Sequence, residues 1–169
     1  MKTIVDLFSA QLEREAPPTR RALERVPDGK AEWKPHAKSM PFGYLASLVA
    51  TMPGWIALEL EQDSLDLKPA SGPGYTAPDT STNAKLLRAF EESLERGRKA
   101  LSAVDDARLQ TKWQLLVTGR VVNEDTRQNV IADTFTHLAH HRGQLTVYLR
   151  LNDAKVPSVY GPSADDRVF

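Results

Sequence analysis

Apolar positions recur at helical spacing in four stretches of the chain. In the first, Ile4, Val5, Phe8 and Leu12 return every three or four residues, which places them on one helix face. Pro17 and Pro18 interrupt the pattern, and TRRALERV resumes it up to Pro27. A proline inside a helix has no N–H to donate and crowds the turn before it, so one helix with a kink or a break is expected. The second stretch, from about Pro41 to Leu60, carries Leu45, Leu48, Met52, Ile56 and Leu60 as its stripe, with Pro53-Gly54 as a bend midway. The third runs from about Thr82 to Val104 on Leu86, Leu87, Phe90, Leu94 and Leu101, with Ser81 or Thr82 as N-cap. The fourth spans about Asp125 to Leu151, capped by Asp125 or Thr126, with Ile131, Phe135, Leu138, Leu145 and Leu149 facing inward.

Between these stretches the pattern changes. PDGKAEWKPHAKSM is a polar connector, and SGPGYTAPDTST reads as a loop. WQLLVTGRVVNED alternates loosely around a Thr-Gly turn, so it forms a short hairpin or an irregular excursion between the third and fourth helices. The tail NDAKVPSVYGPSADDRVF, with two prolines and a glycine, is expected to lie extended across the surface. There is no internal repeat. Four long amphipathic segments with little strand signal point to an all-α four-helix bundle, residues 1–169 forming a single domain.

Composition narrows the function classes. At 169 residues, with 41% hydrophobic and 26% charged positions, the chain has the make-up of a soluble globular protein. Lys plus Arg equals Asp plus Glu at 22 each, with the basic residues scattered, so neither nucleic acid nor a membrane surface is an expected partner. The absence of cysteine excludes disulfides, cysteine zinc sites and thiol nucleophiles. MKTIVDLFSAQLERE carries Asp6, Glu13 and Glu15 and no long apolar run, unlike a signal peptide or a membrane span, and a cytoplasmic location is expected. No G-x-S-x-G elbow and no G-x-x-x-x-G-K-[ST] phosphate loop occurs.

Candidate chemistry gathers in HLAHHRGQ, residues 137–144. At about 100° per residue, His137 and His141 lie about 40° apart on the helix, so their rings can converge on one ion at about 2.1 Å. Both flank the core stripe, whereas His140 points away from it. The metalloprotease pattern H-E-x-x-H fails, because Leu138 stands where the glutamate base belongs. A pair of partly buried histidines bonded to polar neighbours explains the same spacing.

HLAHHRGQLTVYLRL followed by VPSVYGPSADD, together with EWKPHAKSM and GYLASLVATMPGW upstream, resembles the DinB/YfiT-like proteins. The resemblance implies a four-helix bundle of that type, often a homodimer. It also implies a divalent metal, nickel or zinc, held by three histidines: two from the fourth helix, matching His137 and His141, and a third from the second helix. Characterised relatives include transferases and isomerases that use low-molecular-weight thiols, and hydrolases are a related possibility. Aligning GYLASLVATMPGW on its Gly and its PGW puts Leu48 where the third histidine belongs, and leucine has no lone pair. Ser47 is a poor zinc ligand and Tyr44, one turn earlier, an unusual one.

Other donors fit less well. Asp133 lies one turn before His137 but about 40° further from the core stripe, where a solvated carboxylate is the simpler reading. His36 sits in the connector, and would need its loop to fold back. Glu59 and Glu61 suit a solvated face near the far end of the second helix. Arg142 falls on the apolar stripe, either as a holder of a substrate anion or as a buried ion pair. Tyr148 and Gln144 could contact a ligand or cap the polar end of the core. Trp33, Trp55 and Trp113 suit core or interface anchors. Two functions therefore compete: a metal-dependent enzyme using His137 and His141, and a metal-free bundle acting as a binding or dimer-forming module.

Overall fold

The computed structural model describes residues 2–71 and 76–167. Residues 72–75, the centre of the expected SGPGYTAPDTST loop, lie outside the described residues, as do the last two of the tail.

The first helix, α1 (Ile4–Glu24), opens on a capping box in which Thr3 and Asp6 bond each other's backbone N–H. It runs as one helix through Pro17 and Pro18, so of the expected kink or break there is no break. The prolines remove the N–H groups that would bond the carbonyls of Glu13 and Arg14, two exposed residues.

The second stretch forms α2 (Phe42–Thr51), one 3-10 turn over Met52–Gly54, and α3 (Trp55–Glu61), with the bend at the expected Pro-Gly. It is long and apolar enough to cross a membrane, yet most of it is buried within the fold. The third stretch is α4 (Asn83–Ser102), capped by Thr82. Its small residues let it press against the bend. Ser93 Oγ donates to Thr51 O and accepts from Gly54 N, both at 2.7 Å. A Cβ on Gly97 would stand 2.6 Å from Pro53 O, closer than such contacts come. A short helix, α5 (Asp106–Leu109), leads into the strands, and α6 (Arg127–Leu151) is capped by Thr126.

The four helical stretches enclose one core that includes Leu12, Leu45, Ile56, Phe90, Ile131 and Leu149. The expectation of a purely α fold is corrected by a three-stranded mixed sheet. Strands β2 (Lys112–Val117) and β3 (Arg120–Thr126) form an antiparallel hairpin, as the alternation suggested. Its turn residues, Thr118 and Gly119, both have positive φ (53° and 74°), the conformation of a tight hairpin turn. The unexpected element is β1 (Ser64–Asp66), which pairs parallel to β2. At its end Asp66 accepts from the backbone N–H of Thr118 at 3.0 Å and of Gly119 at 2.6 Å.

Arg127 holds this sheet against the helices. It is fully buried, and its guanidinium donates to Glu59 O at 2.8 Å, Gln62 O at 2.9 Å, Thr111 Oγ1 and Asp63 Oδ1 at 2.6 Å, and Lys112 O. One side chain thus ties the end of α3 to the start of β2 and the start of α6. The tail is anchored where an extended surface run was expected: Ser158 is buried and its carbonyl accepts from Arg21.

Candidate functional site

Helical and strand periods together build one cleft. On α6, Val130, Thr134 and His137 fall at i, i+4 and i+7, with Asp133 and His140 beside them. On α3, Trp55, Leu58 and Glu59 share a face. In the sheet the two-residue period aims Leu65 with Leu67, and Trp113 with Leu115, to one side. These surfaces enclose a mostly apolar cleft of about 650 Å³, within the range of small-molecule sites.

His137 is the polar group at the cleft's rim. Its ring meets Trp55 edge to face, with centroids 5.6 Å apart. Burial, then the neighbouring His141 and His140, hold its pKa below the ordinary imidazole value, which favours the neutral ring. Its Nε2 lies 2.9 Å from Nε2 of His141, which is itself buried. Gln144 Oε1 accepts from His141 Nδ1 at 2.8 Å, so that ring carries its proton on Nδ1 and presents an Nε2 lone pair toward His137. His140 is exposed, as its helical position required, yet it lines the same cleft and its ring stands 5.0 Å from that of His141.

The pair meets part of the demand of a metal site. The two Nε2 atoms, at 2.9 Å, are within hydrogen-bond distance of each other, so both rings turn toward one point. The third donor is missing. Leu48 is half-buried against the core, and among the described residues no group of three or more His, Asp or Glu side chains could hold an ion. His36 is engaged in its own turn, its Nδ1 accepting from Lys38 N. Asp133 is exposed at the cleft rim.

The residues expected to contact a ligand beside the pair lie elsewhere. Arg142 turns toward α1, where Glu15 Oε2 accepts from it at 2.6 Å, Thr19 Oγ1 at 2.7 Å, and the Tyr160 hydroxyl closes the group. It is the buried ion pair of the two readings, fixing α1 and the tail to α6. Tyr148 donates to Met40 O at 3.1 Å, with its ring packed between Trp33 and Phe42. Tyr44 is 57% exposed. None of the three lines the cleft.

Glu59, expected on a solvated face, is instead 4% exposed and lines the cleft. Its Oε1 accepts from Thr134 Oγ1 at 2.7 Å, while Oε2 is buried without a partner. Burial pushes its pKa up to about 7, the Thr134 hydroxyl opposes the rise, and Asp133 adds to it. Trp113 Nε1, also on the cleft wall, is a second buried polar atom without a partner. The signal that could have placed Glu59 inside is its position three residues after Ile56, on the helix's inner side.

Comparison with known proteins agrees with this architecture. A DinB-like protein of Bacillus subtilis superposes with a TM-score of 0.65 at 16% identity, over 96% of this chain and 99% of its own. A DinB-like protein of Bacillus cereus gives 0.67 at 20% identity, over 90% and 95%. No curated protein matches the chain. The DinB family model matches residues 1–167. The chain belongs to the DinB family.

Proposed function

We propose that the protein is a small-molecule-binding member of the DinB family, with the cleft between α3, the sheet and α6 as its binding site. The observation that carries this reading is the cleft of about 650 Å³, walled by Trp55, Leu58, Leu65, Leu115 and Val130, with two residues of its lining, Glu59 and Trp113, each holding a buried polar atom without a partner. Apolar walls supply affinity, and a few convergent polar groups supply orientation. The neutral probe N-phenylnaphthylamine should bind stoichiometrically with a rise in fluorescence. Leu115→Arg, which places a cation in the wall, should abolish that rise while helical circular dichroism is retained. A wild-type chain that fails to bind the probe overturns the reading.

A second reading is favoured by the close approach of His137 and His141, Nε2 to Nε2, and by the contact of Gln144 with His141 Nδ1. In it the pair holds a divalent ion, nickel or zinc, and a low-molecular-weight thiol is the expected co-substrate. The ion would lower the pKa of a bound thiol or water. Leu48 works against it, because two nitrogens hold an ion less firmly than three. Calorimetric titration with nickel or zinc separates the two readings. Tight binding by the native chain, lost in His137→Ala, supports the metal enzyme. Binding only in Leu48→His supports a module that lacks the third ligand.

A further inference from the structure

The charges around the cleft are one-sided. Glu59 and Asp133 both line it, and among the described residues no Lys or Arg side chain does. The indoles of Trp55 and Trp113 contribute two aromatic walls, surfaces that attract cations through the negative face of the ring. Glu59 is held in place by Thr134, which bonds one carboxylate oxygen and leaves the other buried and without a partner. This is a single buried anchor in an apolar pocket, unlike the solvated acidic patches of a surface. Asp133 at the rim adds negative potential at the entrance.

We propose that the cleft selects a small organic ammonium ion, an amine borne on an apolar body, with Glu59 Oε2 as its anionic anchor and Trp55 and Trp113 as its aromatic walls. The assignment rests on reading the cleft as a ligand site and names the class of ligand. An ammonium group supplies both the hydrogen-bond donors and the charge that Glu59 Oε2 lacks. The Trp113 N–H offers a donor to an ether, hydroxyl or carbonyl oxygen on the ligand. An anionic ligand would meet two carboxylates and no compensating cation.

The test compares three ligands of one shape at mildly alkaline pH: 2-phenylethylamine, 2-phenylethanol and phenylacetate. Each is titrated into the full chain by calorimetry, with tryptophan fluorescence as a second readout. The amine should bind at least about tenfold more tightly than the alcohol, with phenylacetate weakest. Glu59→Gln, which preserves size and the acceptor for Thr134, should remove the preference for the amine, lowering its affinity to that of the alcohol. Equal affinity for amine and alcohol in the native chain overturns the amine assignment while the cleft remains a ligand site. A preference that survives Glu59→Gln also overturns it. If none of the three ligands binds, and N-phenylnaphthylamine does not either, the cleft reading falls and the amine assignment with it.

Discussion

Replacing Glu59 by glutamine should stabilise the protein, and by an amount that depends on pH. Burial raises the folded-state pKa from an ordinary 4.5 to about 7. The folded chain therefore holds this proton at pH values where the unfolded chain has released it. The stability that Glu59 contributes is fully present below about pH 4.5 and is lost as pH rises toward about 7. At about 1.4 kcal/mol per pH unit, the loss across that window is about 3 kcal/mol, constant above it. Glutamine keeps the acceptor for Thr134 and never ionises, so the variant avoids the loss. For a chain of this size, about 3 kcal/mol corresponds to a rise of about 6–12 °C in Tm. Urea denaturation of both proteins across the acid-to-neutral range provides the assay. Subtracting one curve from the other cancels the titration of the other carboxylates. The difference should be near zero at the acid end, grow between about pH 5 and 7, and level off. A difference of the same size at every pH would refute the reasoning, as would a variant less stable than native at neutral pH.

Two further outcomes follow from the packing. Arg142→Met should destabilise by about 3–5 kcal/mol, because it strands the buried Glu15 carboxylate. A Glu15→Met, Arg142→Met double variant should recover most of that in the same urea assay, and a double variant no better than the single would contradict it. Gly97→Ala should cost about 1–3 kcal/mol by thermal melting, since its Cβ would fall 2.6 Å from the Pro53 carbonyl oxygen. An unchanged Tm would show that α4 and the Pro-Gly bend do not touch as described.

The helical framework could be read from the sequence because each long element carries its own repeat. Thr82 and Thr126 cap the helices that their positions suggested, and the inward stripe of α6 is buried from Ile131 to Leu149. The strand β1 could not be read, because three residues are too few for alternation and their order comes from pairing with β2. Arg127 gave no signal for the same reason, since all its partners are distant in sequence. The helical geometry of His137 and His141 was legible, as was the empty position at Leu48. The cleft was not, because part of its wall is the sheet. Glu59 looked like a surface residue by its chemistry, and only the arrival of Thr134 and the strands encloses it. Arg142 admitted two readings until Glu15 appeared opposite it.

The meeting of Glu15 with Arg142 has a consequence in time. The two residues are 127 positions apart, so a ribosome working at about 5–20 residues per second makes one about 6–25 s before the other. Throughout that interval the first helix carries a carboxylate that the finished protein buries, together with two prolines that each remove a helix hydrogen bond. The ion pair that joins α1 to α6 therefore cannot close until Arg142 has been made. A chain cut short before it would keep the Glu15 carboxylate without its cation.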